Sequence, residues 1–385
     1  MGVSRRWRDM ILRCPSFWTT IKVTPRRHMS LLKAQVTRSA ELPLEVEIYS
    51  WSNDRAENSR LLKAMLDVLI PSAHRWCSLI IQDGLLSNNL LTRLIYPILT
   101  HVSVRFVSSQ EVPLFHSGNY PRLQHLELGL YVEQLCWFEV PLSITSLSLH
   151  LVGREVRSIF RYLSFQKLTT LFISTWDELL DLKPDNIHLP LLEKLVCKSG
   201  ELLIRVIVAP KLTHLEYHSH HLQSINGNIF NPRTPRFPKV TRLVFDSVLH
   251  FIGSTNAIPS AFLAVRHLDL SHPGGADSLF APEDGSLTID HWPHLKSLTV
   301  RGIYEIPDFL DGLVTWLKTR QIMDMRRLLV RISFSNPTQD DLITFPCHEV
   351  RGIISTLYGA LHELCRLEWV NVPLKGVQCA LQDIG

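Results

Sequence analysis

A histidine cluster is the first group of residues with the types and spacing to do chemistry. His218, His220 and His221 lie close together, and imidazole nitrogens at such spacing can bind a metal ion. No cysteine and no pair of carboxylates accompanies them in the sequence. A solvated turn after a strand is the alternative interpretation, and we predict no metal site here.

Three cysteines near two histidines form the second group. Cys347 is followed by His348, and Cys365 follows His362, so a cysteine nucleophile with a histidine base is one interpretation. Cysteines beside helical leucines also serve as small core residues, and this applies equally to Cys379. The chain has no G-x-x-x-x-G-K-S/T, G-x-G-x-x-G or G-x-S-x-G pattern. We therefore predict no catalytic residue and no cofactor, and keep an unrecognised hydrolase as a third alternative.

The elements that would position any such residues are set by a recurring apolar phrase. It reads apolar-x-x-apolar-x-apolar, often with a proline one or two positions ahead. Steps between the first copies, from Trp76 to Val240, are 20 to 28 residues long, near the period of leucine-rich repeats. One copy cannot bury its own apolar face, so the copies must stack. Their first apolar positions are Trp76, Leu99, Leu123, Ile144, Leu168, Leu192, Leu212, Val240, Val265, Leu295, Met325 and Leu364.

The phrase predicts an α/β protein in which short parallel strands alternate with loops and helices. We predict an irregular leucine-rich-repeat-like solenoid over residues 41–385, preceded by a short helical segment at residues 1–40. A set of unrelated strands in a large α/β domain is the alternative. Further predictions are a helix over 29–38, a strand over 44–48, a helix over 61–69 ended by Pro71, and amphipathic helices over 309–317 and 350–361.

Strand alternation assigns the residues between the buried leucines to the open, concave face of the sheet. Leu126 and Leu128 point inward, so their neighbours point outward, and the same argument applies to each copy. A solenoid uses such a face to bind another protein. The candidate partner-binding residues are His125, Glu127, His214, Glu216, Arg242, Asp246, His267, Asp269 and Arg301.

The amino terminus carries a distinctive run, R-R-W-R at residues 5–8 followed by C-P-S-F-W at 14–18 and a closing Ile21. This run resembles the second half of an F-box, and with the irregular repeats behind it the chain resembles the F-box/leucine-rich-repeat proteins of fungi, especially mushroom-forming ones. The resemblance implies that Trp7, Pro15, Trp18 and Ile21 bind a Skp-type adaptor or pack within the F-box. It also implies a cullin–RING ubiquitin ligase whose protein substrate is held by the repeats.

A complete F-box is longer and opens with a Leu-Pro segment, which does not precede Met1. We therefore expect only its second half, and adaptor binding is in question. Two alternatives exist for these residues. Trp7, Phe17 and Trp18 could cap the first solenoid turn, or the arginines could form a nucleic-acid or nuclear-import patch.

The composition of the chain limits which broad classes of protein it can belong to. The chain has 385 residues, 45% hydrophobic and 20% charged, as in ordered globular proteins. The net charge of +4 gives the whole chain no strong preference for nucleic acid or membrane, although residues 1–40 hold nine basic residues and one acid. Seven scattered cysteines without a C-x-x-C pair, and no apolar signal segment, favour the cytoplasm or nucleus.

The function expected from these observations is a non-catalytic protein-interaction scaffold, the substrate receptor of a Skp–cullin–F-box type ubiquitin ligase. The alternative is a leucine-rich-repeat binding protein unrelated to ubiquitin ligases. We expect no membrane partner and no nucleic-acid partner.

Overall fold

The structure is a computed structural model. It divides the chain into two compact units, Met1–Leu182 and Lys183–Gly385. The residues that it describes are 4–49, 56–82, 94–107, 118–131, 142–152, 166–175, 187–198, 204, 206–218, 237–246, 262–271, 282–283, 286–301, 306–322, 328–333 and 359–369. Within these ranges no helix is long and apolar enough to cross a membrane.

The first unit is a parallel sheet preceded by helices. Its helices are α1 (Arg5–Arg13), α2 (Met29–Arg38) and α3 (Ala56–Leu69), with short 3-10 helices at Pro15–Trp18 and Ile70–Arg75. Its strands are β1 (Thr20–Val23), β2 (Leu44–Ile48), β3 (Trp76–Ile81), β4 (His101–Val107), β5 (His125–Tyr131), β6 (Ser146–Val152) and β7 (Thr170–Thr175). Each strand pairs in parallel with the next one along the chain.

The second unit repeats this arrangement. Its sheet pairs successive strands in parallel, and two short pairs, β8 with β10 and β14 with β15, lie outside that sheet. The strands are β8 (Ile187–His188), β9 (Lys194–Lys198), β10 (Ile207–Val208), β11 (His214–His218), β12 (Arg242–Asp246), β13 (His267–Ser271), β14 (Pro282–Glu283), β15 (Ser286–Leu287), β16 (Ser297–Arg301), β17 (Leu329–Ser333) and β18 (Arg366–Trp369). One helix, α4 (Ile306–Ile322), precedes β17.

The predicted α/β class and the repeated parallel strands are confirmed, and the architecture is consistent with a solenoid-like repeat fold. The inward leucines are buried as the alternation requires: Leu126 is 2% exposed and Leu215 is fully buried. In-register pairing puts equivalent positions side by side, for example Leu215 beside Leu243. Each repeat thus buries its apolar face against its neighbours.

One copy of the phrase was placed wrongly. We predicted it to begin at Met325, with Leu328 and Val330 as the later apolar positions. The sheet instead pairs Leu298 with Val330, which shifts that copy two residues later along the chain. The run from 328 to 332 is apolar at every position but one, so spacing could not distinguish the two registers.

A turn ahead of β4, β5, β9, β11, β12, β13 and β16 fixes how these repeats enter the sheet. The carbonyl of Tyr96 accepts from the N–H of Leu99, and that of Tyr120 from Leu123, closing β-turns with proline at the second position. The residues that open these turns are buried and apolar, and the set comprises Tyr96, Tyr120, Leu189, Ala209, Phe237, Phe262 and Trp292. The full repeat therefore begins three residues earlier than the phrase read from the sequence.

The amino-terminal segment is joined to the sheet. β1, within the predicted segment 1–40, pairs with β2 of the predicted repeat domain, and Ile21 is fully buried in their shared core. The helix predicted over 29–38, the strand over 44–48 and the helix before Pro71 are all present. Of the two later helices, α4 covers the predicted 309–317 segment, and only residues 359–364 of the last one are described, as helix.

Candidate binding face

The strand face is the side of each sheet that carries the residues alternating with the buried leucines. In the first unit, His125 is exposed and lies beside His101, with ring centroids 6.1 Å apart. Burial, followed by the charge of His125, lowers the pKa of His101. The two imidazole rings are therefore direct neighbours at the amino-terminal end of the strand face.

Glu127 lies two residues after His125 on β5, on the same strand face of the first unit. The hydroxyl of Ser103 donates to its Oε2 at 2.7 Å, and His150 Nε2 lies 3.5 Å from its Oε1. The carboxylate thus bridges side chains from the strand on either side of β5. Since His150 also packs its ring against Phe172, with centroids 4.9 Å apart, this part of the strand face combines polar and aromatic surface.

In the second unit, Glu216 is held between two histidines of its own strand. His218 Nε2 donates to Oε1 at 2.7 Å, and His214 Nε2 lies 3.6 Å from Oε2. The nearby His214 and then the hydrogen bond from His218 keep the pKa of Glu216 below its usual value, against the opposing effect of burial. The carboxylate is therefore ionised and already partnered within the face.

Asp269 and Arg301 form the second charged pair of this face. Arg301 Nη2 donates to Asp269 Oδ2 at 2.7 Å. Asp269 was predicted on the open face, but only 7% of it is exposed, and burial raises the pKa of its carboxyl. That part of the prediction is corrected: Asp269 faces the predicted side, yet its neighbours in the sheet cover it.

Arg242 and His267 occupy adjacent strands at one level. They are direct partners in the register of β12 and β13, and both side chains are exposed. His267 Nδ1 lies 2.7 Å from the hydroxyl of Ser297 on the next strand. Asp246 lies on β12 as predicted, but its side chain is outside the described residues.

The first helix presents a separate surface, which we call the α1 face: Trp7, Met10, Ile11 and the following Phe17. Trp7 is 60% exposed and Phe17 is 61% exposed, and α1 buries none of its residues. Trp18 is half-buried, and its indole N–H donates to the carbonyl of Ile11 at 2.9 Å.

The first strand of the sheet is therefore not capped by Trp7 and Phe17, as the alternative interpretation of these residues required. Trp7 and Phe17 do not cover the sheet, whereas α2 contributes the buried Leu32 and Gln35. Pro15 opens the 3-10 helix that leads into β1 and is half-buried, and Arg38 stacks on Trp18 with its guanidinium 4.7 Å from the ring centroid. Trp18 and Ile21 thus pack, and Trp7 is the exposed member of the predicted set.

No protein-family model matches the chain, and no curated protein matches its sequence.

The residues considered for chemistry do not form a reactive arrangement where they are described. His218 serves as a partner of Glu216, while His220 and His221 lie outside the described residues. Cys365 is buried, and its thiol donates to the carbonyl of Leu361 at 3.1 Å; Cys347, His348 and Cys379 also lie outside. In the described ranges no group of three or more His, Cys, Asp or Glu has metal-binding geometry.

The structure brings together His214 with Glu216, Asp269 with Arg301, and Arg242 with His267. Arg242 and His267 meet as direct register partners, Asp269 and Arg301 meet diagonally across adjacent strands, and His214 and Glu216 are two positions apart on one strand. Sequence reasoning missed the neighbours that complete these groups: Lys194, Ser297, His101, Ser103 and His150. Each lies at the offset already assigned to the open face in its own repeat, so the repeat alignment itself could have found them.

Proposed function

We propose that the chain is a non-catalytic protein-interaction scaffold of the leucine-rich-repeat type that serves as the substrate receptor of a Skp–cullin–F-box type ubiquitin ligase. The observation that carries this proposal is the exposed α1 face. Trp7, Met10 and Ile11 lie three and four positions apart, on one side of a helix in which no residue is fully buried. An apolar helix face with no intramolecular partner is a surface for another protein.

The composition of α1 supports a protein partner with an acidic rim. A tryptophan at the centre of an interface is a frequent binding hot spot, so Trp7 is the expected anchor. Arginines 5, 6, 8 and 13 surround it, with Asp9 as the one acid of the helix. The positive charge of these arginines speeds association with an acidic surface on the partner. The resemblance to an F-box supports a Skp-type adaptor as this partner.

The mechanism of such a receptor is proximity. The α1 face binds the adaptor, and the strand face holds the substrate protein near the ubiquitin-charged enzyme. This role requires surfaces and no reacting side chain, in keeping with partnered carboxylates such as Glu216 and with the buried thiol of Cys365.

A second function, a repeat binding protein without a ligase, is favoured by one observation. Ile21 and β1 are an integral part of the sheet, so the segment after Pro15 has a structural role that needs no adaptor. In that case the strand face alone carries the function.

Co-purification with a Skp-type adaptor tests the proposal. The full chain is co-expressed with the adaptor, alone and extended at its amino terminus by the Leu-Pro helix of a complete F-box. Trp7→Ala should weaken adaptor binding by about 30-fold or more, as expected for a hot-spot tryptophan worth ~2 kcal/mol. Leu142→Ala is the matched control, since Leu142 is equally exposed, at 60%, but lies away from α1.

Both variants should keep the wild-type melting temperature, because both side chains are exposed. Absence of adaptor binding in both forms of the chain would reject the ligase function. Equal binding by wild type and Trp7→Ala would reject the α1 face as the docking surface.

A further inference from the structure

Four basic side chains stand side by side on the strand face of the second unit. Lys194, His214, Arg242 and His267 are direct Cα partners across β9, β11, β12 and β13. We call this set the basic row. Its strand neighbours Leu195, Leu215, Leu243 and Leu268 are buried at 0 to 1% exposure, so alternation directs the basic row to the opposite side. Arg242 and His267 are exposed, and Lys194 and His214 are half-buried.

The basic row is surrounded by further positive charge. Arg266 and Lys296 lie at the entrances of β13 and β16, and both are exposed. Burial and then four cations, in the order Arg242, Lys296, Arg266 and Arg331, lower the pKa of His267. The positive potential at this position thus comes from several strands and not from one neighbour.

The acids described on this face interact electrostatically with the basic row, Glu216 with Lys194 and Asp269 with Arg242, and each also has a closer partner. Glu216 is engaged by His214 and His218, and Asp269 by Arg301. None of the described residues forms an ion pair with Lys194 or Arg242. Lys194 and Arg242 therefore keep ammonium and guanidinium N–H groups that can bind a ligand.

The dimensions of the row indicate the form of that ligand. Neighbouring strands are ~4.8 Å apart, so four strands space the row over roughly 14 Å. In an extended peptide, side chains on one side recur about every 6.7 Å, so three acidic residues at alternate positions span the same length. Arg242 can bind one carboxylate through two parallel hydrogen bonds, which fixes the register of the peptide.

We propose that the basic row binds a short, extended acidic segment of a partner protein, with carboxylates at alternate positions. This inference rests on the proposed function, because it assumes that the strand face of the second unit binds protein. Nucleic acid fits less well, because the row is one residue wide.

A peptide-binding measurement on the full chain tests this inference. The probe is a fluorescent Ser-Glu-Ser-Glu-Ser-Glu-Ser peptide, compared with the same peptide carrying Gln in place of Glu and with a single-stranded thymidine oligonucleotide. The Glu peptide should bind, more weakly at high salt, and the Gln peptide should not. Arg242→Gln and Lys194→Gln should each weaken binding about tenfold, the scale of one lost charge-assisted hydrogen bond.

Lys211→Gln is the control variant. Lys211 is exposed and belongs to the same unit, but it lies in the turn before β11 and outside the basic row. Its substitution by glutamine removes one positive charge, as the Lys194→Gln and Arg242→Gln substitutions do. It should retain wild-type affinity, and circular dichroism should show all three variants folded. No binding of the Glu peptide at millimolar concentration, or equal binding by the Arg242→Gln and control variants, would overturn the inference. Binding of the oligonucleotide in preference to the peptide would also overturn it.

These outcomes are separable from those of the adaptor experiment. Adaptor binding without peptide binding would reject the acidic segment and leave the receptor function standing. Peptide binding without adaptor binding would support the basic row and reject the ligase link.

Discussion

The ion pair between Arg301 and Asp269 has one buried and one exposed partner, which makes its removal informative. Asp269 is 7% exposed, whereas 55% of the Arg301 side chain is exposed. Burial raises the pKa of Asp269, and the charge and hydrogen bond of Arg301 oppose that effect. Asp269 Oδ1 has no hydrogen-bond partner among the described residues. Arg301 is thus the main compensation for a carboxylate that the fold has removed from water.

Arg301→Ala should lower the free energy of unfolding at neutral pH. Leaving a buried polar group without its partner costs about 1–3 kcal/mol, and breaking a fully buried ion pair costs about 3–5 kcal/mol. We expect the lower range, because the exposed arginine leaves a site that water can enter. Asp269→Asn removes the charge at constant shape, so Arg301→Ala should cost less in that background. Pairs in contact couple by about 0.5–3 kcal/mol.

The loss of stability caused by Arg301→Ala should depend on pH, and the pKa of Asp269 gives the direction of that dependence. The pKa of Asp269 is raised in the folded state above its unfolded value of about 3.9, so the folded protein binds the proton more tightly. The cost of the buried charge is therefore present above the folded pKa and disappears as the pH falls toward the unfolded value. Removing Arg301 raises that pKa further. The penalty of Arg301→Ala should shrink between about pH 7 and pH 4.

Urea titrations followed by circular dichroism measure these quantities for the two single variants and the double variant. Arg331→Ala is the matched control: Arg331 Nε lies 2.8 Å from Glu368 Oε2, but the two side chains are 40% and 36% exposed. Exposed pairs contribute about 0–1 kcal/mol, so this variant should stay near wild type. The reasoning is refuted if Arg301→Ala matches the control, or if its penalty is unchanged by Asp269→Asn and by pH.

Three further outcomes are expected from urea titrations. Leu215→Ala should cost about 2–5 kcal/mol because Leu215 is fully buried, while Glu216→Ala on the opposite side of the strand should cost at most about 1 kcal/mol. Phe237→Ala should cost about 3–5 kcal/mol, since this ring opens a buried turn. Ala40 has a positive φ of 48°, so Ala40→Gly should raise stability, whereas Ala34→Gly within α2 should lower it by about 0.5–1 kcal/mol. A result of opposite sign would contradict each assignment.

The repeat could be predicted from sequence because its signal is local. Strand alternation places Leu126 and Leu128 inward whatever the neighbouring chain does, and the structure agrees. The missed parts depend on contacts across repeats. Tyr96 and Tyr120 stack with ring centroids 5.3 Å apart, although they are 24 residues apart in sequence. Each tyrosine precedes a proline, which is a local signal, but both lie ahead of the leucine phrase.

The strand face was harder to predict than the core for a physical reason. Alternation gives the side of the sheet on which a residue lies, but burial on that side depends on the neighbours. Asp269 and Arg242 are both outward by alternation, yet one is buried and the other exposed. The first strand shows the same limitation: Ile21 was assigned to an F-box pattern, and its pairing with Val46 follows from a partner 25 residues away.

The two units share the same buried leucines and differ in the residues between them. At the amino-terminal end of the strands, the first unit carries His101, His125, Ser146 and Thr170, none of which bears a permanent charge. The second unit carries the basic row, in which Lys194 and Arg242 bear permanent charges. Because these side chains do not pack in the core, changing them costs little stability. Packing therefore cannot explain the basic row. An explanation that requires a negatively charged partner accounts both for its charge and for its restriction to the second unit.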